Sequence, residues 1–360
     1  MAGILLCMLL YGAYHVRELI DLTQFVNRRR LAWVLAMFVS VSAFALAIAS
    51  RSVFVAIGFY MLAMWMLFDI VRGVLFLFAR NTAARRMFQK IYWKGIPAML
   101  LAGLICLGGY LNTRTRKVAE YTVEIASPSL QAAPLTIALI TDMHIGDIVF
   151  EEEIAKIVEE TNALQPDMVL LGGDIFVETT THAQLEAAFS GFAKFQAKLG
   201  VYYVPGNHEY YASDTVFSVE EITPRLEAAG ITVMRDDVKR VDDRFYLVGR
   251  EDGFVPRAPL AELMEGLDEQ YPVIVLTHKP DDLEEAARLG VDLQLSGHTH
   301  AGQIFPTGQF AVLLGLNAFN HGMLQHGDYS LIVSAGTGAW GFPVRVGSAC
   351  EIVLVSIPRI

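Results

Sequence analysis

The chain has 360 residues, enough for one to three domains, and 54% of them are hydrophobic. Its charges are unevenly placed, because 14 of the 28 Lys and Arg residues but only three of the 38 acidic residues precede residue 118. The acidic remainder offers no basic surface for a polyanion, which excludes nucleic acid as the expected main partner. Three cysteines supply neither a disulfide framework nor a thiolate zinc site.

Apolar runs dominate the first 112 residues and predict membrane-spanning helices. Three of the runs approach or exceed the ~20 residues that a spanning helix needs. The run at the N-terminus is shorter, so it is either a span, a shallow helix or a signal-like segment. We predict four transmembrane helices, at about 1–15, 31–50, 53–79 and 95–112.

Basic residues between the runs predict the orientation of the helices. Arg17 and the arginines at 28–30 precede the second run, and four basic residues at 85–94 separate the third from the fourth. Both loops are therefore predicted to be cytoplasmic. Four spans then place the C-terminal domain outside the cytoplasm of a bacterial plasma membrane, although the basic residues at 114–117 weigh against this side.

Asp69 and Arg72 interrupt the third apolar run. Their spacing puts them on one helix face, where they can neutralise each other. They indicate either an ion pair at the membrane boundary, with Arg72 extending outward, or part of a substrate or ion path. The ion pair is the favoured interpretation.

The polar part of the chain follows a β/α pattern. Residues 113–133 are interpreted as a linker with a first strand at 121–125, and residues 134–360 as one domain. Short apolar runs there alternate with helix-like stretches, which is typical of a layered α/β fold with buried strands. The predicted strands are 135–140, 168–171, 201–204, 245–248, 273–276, 293–295, 331–333 and 351–356, and the predicted helices include 151–164 and 281–289.

Polar residues, most of them of types that bind metal ions, follow five of these strands directly. Sites in α/β folds gather at the carboxyl ends of strands, so these side chains are expected to meet. Each fragment alone is common by chance, but together they use five of the nine histidines. The residues are Asp142 and His144, then Asp174, then Asn207, His208 and Glu209, then His278, and finally His298 and His300.

The order D-x-H, G-D, G-N-H-[DE], a lone His and G-H-x-H resembles the calcineurin-like metallophosphoesterases over about residues 134–357. The stretches 297–304 and 336–345, with the apolar N-terminal third, are similar to the transmembrane branch of that family. The resemblance implies an α/β fold: a four-layer α/β/β/α sandwich, here preceded by a bundle of about four transmembrane helices.

The resemblance also implies two divalent metal ions and their ligands. Imidazole and carboxylate groups suit Mn, Fe or Zn, and a hydroxide bridging two such ions is then the expected nucleophile. Asp174 is expected to bridge the ions. One ion is expected on Asp142, His144, Asp174 and His300, and the other on Asp174, Asn207, His278 and His298.

His208 is expected to act beside the phosphoryl group rather than as a ligand. In the family this histidine stabilises or protonates the leaving oxygen. Glu209 is expected to orient the His208 imidazole; its alternative is a surface charge without a role. Four glycines, at 172, 173, 206 and 297, are expected to let backbone approach the ions.

His321 and His326 lie in the segment 317–329 and are either solvated loop residues, which is the favoured interpretation, or part of a substrate mouth. His15 and His182 are assigned no role.

The expected reaction is hydrolysis of a phosphodiester, a phosphomonoester or a pyrophosphate beside a lipid membrane. A lipid-linked substrate fits the anchor; UDP-2,3-diacylglucosamine is implied by resemblance alone and would require a cytoplasmic domain. A protein Ser/Thr phosphatase is one alternative. A non-catalytic receptor or scaffold is another, but it predicts a missing ligand, and none is missing. The identity of the metals and the oligomeric state stay open.

Overall fold

The computed structural model describes residues 10–17, 34–38, 40–42, 53–78, 95–130, 133–211 and 217–359, and the single residues 20, 83 and 87. The chain divides into two compact units. The first comprises Met1–Leu111 together with Gly341–Val346, and the second comprises Asn112–Trp340 together with Gly347–Ile360.

Two apolar helices are the main elements of the first unit. Helix α1 (Val53–Phe78) contains, among the described residues, the single stretch long and apolar enough to cross a membrane by length and composition. Helix α2 (Ile96–Asn112) is apolar but has 17 residues. Residues 10–17, 34–38 and 40–42 are also helical. The predicted spans at 1–15 and 31–50 fall largely outside the described residues, so the four-helix bundle stays a prediction.

Within the first unit, Asp69 has partners that the sequence did not suggest. Its Oδ2 accepts a hydrogen bond from the Tyr11 hydroxyl at 2.8 Å and lies 3.4 Å from Nε2 of His15. The His15 ring stacks on Trp65 with centroids 4.4 Å apart. His15, which we assigned no role, is therefore part of a buried polar cluster.

The second unit contains two six-stranded sheets. In the first sheet the neighbours are parallel except where β12 pairs antiparallel with β2. Numbered in chain order, its strands lie in the sequence β1 (Arg116–Thr122), β12 (Cys350–Ile357), β2 (Leu135–Ile140), β3 (Met168–Gly172), β4 (Val201–Val204) and β5 (Ile231–Val233).

The second sheet has a parallel centre with an antiparallel strand at each edge. Parallel strands put their carboxyl ends at one edge, which is where a site can form. The strands lie in the sequence β10 (Gly322–His326), β11 (Tyr329–Val333), β9 (Leu293–Ser296), β8 (Val273–Leu276), β7 (Phe245–Gly249) and β6 (Asp237–Val241).

The helices of the second unit are short, and two of them begin in a capping box. Helix α4 (His182–Phe192) begins after Thr181 and helix α6 (Val219–Ala228) after Ser218, and each box satisfies otherwise unpaired N–H groups. The helices are α3 (Glu151–Ala163), α4 (His182–Phe192), α5 (Asn207–Tyr211), α6 (Val219–Ala228), α7 (Leu260–Met264), α8 (Leu283–Arg288), a 3₁₀ turn (His300–Gly302) and α9 (Thr307–Leu313).

Three hydrophobic clusters give the second unit its layers. One lies between the sheets and joins side chains of both, such as Leu139 of β2 and Leu247 of β7. A second packs helices α3, α4 and α6 on the outer face of the first sheet, and a third packs helices α7 and α8 on the outer face of the second. The predicted mixed α/β fold with two helix-flanked sheets is confirmed.

The predicted strands are confirmed to within about two residues except at the edges of the sheets. Strand β1 covers Arg116–Thr122 rather than 121–125. It pairs with β12 from Arg116 onward, and the Arg116 guanidinium bonds Glu153 at 3.1 Å and Glu160 at 2.7 Å. Arg116, which we placed in the linker, therefore begins the sheet, and acidic side chains of α3 neutralise its charge. Three edge strands, β5, β6 and β10, were not predicted.

Candidate metal centre

The carboxyl ends of five strands bring the predicted residues together. Asp142 follows β2 and Asp174 follows β3, while Asn207 begins helix α5 after β4. His278 follows β8 and His298 follows β9 in the second sheet. Side chains from both sheets therefore lie together at the carboxyl ends of the strands.

Asp142, His144 and His300 form the first cluster of ligand-type atoms, and all three are buried. The Nε2 atoms of His144 and His300 are 3.0 Å apart, and Nε2 of His300 lies 3.3 Å from Oδ1 of Asp142. Nε2 of His144 lies 3.9 Å from the same carboxylate oxygen. The three donor atoms thus converge on one small volume.

Asp174, His278 and His298 form the second cluster. Nε2 of His278 lies 3.1 Å from Oδ2 of Asp174 and 3.2 Å from Nδ1 of His298. The other nitrogen of His278, Nδ1, is 2.9 Å from the backbone carbonyl of Gly172. That contact fixes the ring so that Nε2 faces the cluster, as is common for histidine ligands.

Asp174, a member of the second cluster, also approaches the first. Its Oδ2 is 3.1 Å from Nε2 of His278 in the second cluster and 3.9 Å from Nε2 of His144 in the first. Its other oxygen, Oδ1, accepts the backbone N–H of His208 at 2.8 Å. One carboxylate oxygen is therefore within reach of both groups of donors.

The donor atoms fit divalent metal ions of the zinc or manganese kind. Two nitrogens that bind one tetrahedral ion at about 2.0–2.1 Å lie about 3.3 Å apart, close to the separation of facing histidine nitrogens in each cluster. Oδ1 of Asn207 is buried and accepts no hydrogen bond from the residues that the structure describes. An amide oxygen of this kind suits a cation.

Several of these residues have a backbone conformation that is unusual outside glycine. The angle φ is positive at five of the seven predicted ligands, with values from 49° to 70°. Such a conformation costs about 1–3 kcal/mol per residue, and it persists where the surrounding structure imposes it. The five residues are Asp142, His144, Asp174, His298 and His300.

Gly206 and Gly297 allow backbone to lie against the carboxylates. A Cβ atom on Gly206 would collide with the side chain of Asp174, and one on Gly297 would collide with that of Asp142. Only glycine fits at these two approaches. Gly173, with a φ of 83°, has the same property beside Gly206 and His278.

Burial and mutual charges shift the pKa values of the clustered side chains. Burial, with the nearby Asp174 charge, raises the pKa of Asp142 to about 6, although His278 opposes the rise. Burial disfavours the charged His278, but Asp174 outweighs it and raises that pKa to about 10. In turn His278 holds the pKa of Asp174 well below its usual range, against burial. Burial and the His278 charge lower the pKa of His298 to about 3.

His208 lies beside the first cluster, and its partner is Glu178. The His208 and His144 rings are 4.9 Å apart, and Nδ1 of His208 is 3.3 Å from Oε2 of Glu178. Tyr211 and Trp340 place their rings 5.3 and 6.4 Å from that of His208. Glu178 was not predicted from the sequence. The available signal was an acidic residue ending the otherwise apolar stretch 175–178, four residues after Asp174.

Glu209 is buried and binds backbone. Its Oε2 accepts the N–H groups of Asp174 at 3.0 Å and Gly206 at 2.7 Å. Its Oε1 accepts those of Ile175 at 2.7 Å and Phe176 at 3.0 Å. The carboxylate therefore ties the loop after β3 to the loop after β4, while the Nδ1 atom of the neighbouring histidine faces Glu178.

The histidines of the segment 317–329 lie on strand β10 or just before it. Nε2 of His321 is 3.0 Å from Oε1 of Glu351, which also accepts the backbone N–H of Ala335 at 2.8 Å. His326 ends β10 and is exposed. Neither belongs to the two clusters.

The family model for the calcineurin-like phosphoesterase matches residues 135–302. That range begins at β2 and ends at the 3₁₀ turn, so it contains all the residues of both clusters.

Curated relatives extend the similarity over more of the chain. An uncharacterised metallophosphoesterase of Helicobacter pylori is 32% identical over 267 residues, which is 72% of this chain and 68% of that protein. The Danio rerio "transmembrane protein with metallophosphoesterase domain" is 27% identical over 328 residues, covering 85% of this chain and 73% of that protein.

Solved structures include one of TT1561 from Thermus thermophilus, which is 14% identical, covers 57% of this chain and 90% of that one, and has a TM-score of 0.37. A dimetal phosphatase of Danio rerio is 14% identical, covers 56% of this chain and 87% of that one, and has a TM-score of 0.36. By its sequence relatives, the chain belongs to the calcineurin-like metallophosphoesterase family and is a metal-dependent phosphoester hydrolase.

Proposed function

We propose that the two clusters hold two divalent ions that share Asp174. The position of Oδ2 of Asp174 between both clusters carries this proposal. Ions of this type polarise a phosphoryl oxygen and lower the pKa of a coordinated water. The nitrogen and oxygen donors of the two clusters suit Mn, Fe or Zn equally. One ion is assigned to Asp142, His144, Asp174 and His300, and the other to Asp174, Asn207, His278 and His298.

His208 is assigned to the leaving group of the substrate. Its imidazole borders the first cluster without being one of its members. Glu178 contacts Nδ1, so Nε2 is the nitrogen that remains to face a leaving oxygen and give it a proton. Glu209 is assigned a supporting role, since its four backbone contacts hold the loops that carry Asp174 and Asn207.

The domain is proposed to work beside a membrane. Residues 1–112 form the anchor with about four spans, 113–133 the linker and first strand, and 134–360 the phosphoesterase domain. Support comes from α1, from the apolar α2, and from relatives named as transmembrane proteins. A lipid-linked phosphate ester or pyrophosphate is the substrate class that such an anchor favours.

The basic loops at 28–30 and 85–94 support an extracytoplasmic domain on a bacterial plasma membrane. The assigned side is tested by labelling Glu120→Cys with a membrane-impermeant reagent added outside. Protection of that cysteine would place the domain in the cytoplasm.

The reaction is tested with the full chain in detergent, loaded with Mn²⁺ and given a chromogenic phosphodiester. Chelation should abolish hydrolysis, and added metal should restore it. His208→Ala should reduce kcat by about 10²–10⁴-fold while two ions per chain are retained. The exposed His182→Ala is the matched control and should keep full activity. An inert wild type with bound metal would contradict the proposed function, and loss of metal in His208→Ala would contradict its assigned role.

A further inference from the structure

An exposed apolar ridge follows His300, the last predicted ligand in the sequence, within the second unit. We define the ridge as five side chains of helix α9 and the residues after it: Phe310, Val312, Leu313, Leu314 and Leu316. Leu313 is 77% exposed, Leu316 is 73% exposed and Leu314 is 69% exposed. A contiguous apolar surface of this kind marks a contact with a membrane, a ligand or another protein.

Charge separates the ridge from the rest of the unit. No Asp, Glu, Lys or Arg occurs from residue 301 to residue 327, whereas residues 118–360 contain 35 acidic and 14 basic residues. A strongly acidic domain is repelled by the anionic surface of a membrane. The uncharged stretch can enter a lipid interface without desolvating an ion.

The ridge is held close to the metal centre by packing within its own unit. Helix α9 begins seven residues after His300, and the backbone of Gly308 lies against that of Gly302 in the 3₁₀ turn. The side chain of Gln303 bonds both the N–H and the carbonyl of Trp340, at 2.8 and 2.9 Å. Trp340 is half exposed and its ring faces His208.

The course of the chain indicates what covers the ridge. Trp340 is followed directly by Gly341–Val346, which belong to the unit of apolar helices, and the chain returns at Gly347. Phe305, 54% exposed, packs its Cβ against Gly347. Helices α1 and α2 also expose apolar side chains, among them Ile70 and Leu104. Hydrocarbon is an environment that suits both these helices and the ridge.

We propose that the ridge inserts into the lipid interface and so sets the mouth of the metal centre against the membrane surface. Apolar side chains of a short amphipathic segment bury themselves about 5–10 Å into the boundary between headgroups and acyl chains. A phosphate ester carried by a lipid headgroup then reaches the metal centre without leaving the membrane. This inference rests on the proposed anchor, but it does not depend on the identity of the substrate.

The test uses the full chain in lipid nanodiscs, with its native cysteines replaced by alanine and hydrolysis checked. Spin labels are attached to Leu313→Cys and Leu316→Cys in the ridge, to Leu104→Cys in α2, and to the exposed Glu227→Cys as the aqueous control. Labels on the ridge should collide several-fold more with oxygen, and several-fold less with a water-soluble nickel chelate, than the label at Glu227.

Three results would overturn the proposal, and they have different meanings. Ridge labels as accessible to nickel as the control, beside a lipid-exposed label at Leu104, would show an anchored chain whose ridge faces water. Ridge labels shielded from both reagents would show that a protein surface covers the ridge. A label at Leu104 exposed to nickel would remove the anchor itself. None of these results affects the assignment of the metal centre.

Discussion

The space between the two sheets and the loops at the strand ends both contain buried side chains, but those between the sheets are apolar and those at the strand ends are polar. Leu139 and Asp142, three residues apart, are both fully buried. A leucine between the sheets stabilises the fold by about 1.5–3 kcal/mol through loss of contact with water. Asp142 instead combines a buried carboxylate with a left-handed backbone, and both cost free energy.

The sheets supply the stability that keeps the loops in an unfavourable left-handed backbone, which brings the ligand-type side chains together. Side chains between the sheets should then affect unfolding alone, and those around the site should affect catalysis. Side chains that tie the loops together should affect both. Three substitutions test this division, in order of decreasing effect on free energy.

The largest effect is expected for Leu247→Ala between the sheets. Leu247 is fully buried on β7, a strand that carries no predicted ligand, and its truncation leaves a cavity. The free energy of unfolding should fall by about 2–5 kcal/mol. Thermal unfolding of the full chain in detergent measures the change. Below the transition kcat should equal that of the wild type, and Leu324→Ala on the exposed edge should shift unfolding far less. A large fall in kcat for Leu247→Ala would show that side chains between the sheets also affect catalysis.

An intermediate effect is expected for Glu209→Gln. The amide NH₂ would face backbone N–H groups that now donate to the carboxylate, leaving a buried donor without an acceptor. Such a donor costs about 1–3 kcal/mol, so unfolding should become easier and kcat should fall together. Glu227→Gln, on the surface of α6, controls for loss of charge. If only kcat changed, Glu209 would act on the substrate rather than on the loops.

The smallest effect on free energy is expected for Glu178→Gln. The amide can still contact His208 but no longer carries a negative charge. Loss of a partner of this kind typically reduces activity by about 10–100-fold. The unfolding transition should stay where it is, since Glu178 is partly exposed. Glu186→Gln, at an exposed position of helix α4, is the control. Unchanged kcat would leave the orientation of His208 to its aromatic neighbours.

The central strands and the strand-end residues could be predicted from the sequence, because buried parallel strands are continuous apolar runs and the chemistry begins where each run stops. The edge strands could not. Strands β5, β6 and β10 are short or mostly polar, and β1 starts with Arg116, whose charge is neutralised by residues of α3 distant in the chain. Pairing partners, rather than local pattern, determine such strands.

Within the site, residue types were predictable and contacts were not. Nothing local distinguishes Glu209, which binds four backbone amides, from Glu178, which contacts His208. The positive φ angles of Asp142 and Asp174 also follow from tertiary packing, since glycine is the usual residue for that conformation and asparagine or aspartate adopts it only occasionally.

The segment Gly341–Val346 determines how this protein can be divided. The N–H of Arg345 donates to the carbonyl of Gly109 at 3.1 Å, and the side chain of Val344 lies against the same glycine of α2. Arg345 is fully buried there. A chain that begins after Asn112 would lose these partners and expose the segment, which starts shortly after Gly338, whose N–H bonds the backbone of Asp142. Removal of the N-terminal third is therefore a cut through a folded unit, and it leaves Gly341–Val346 without the partners that these residues have on α2.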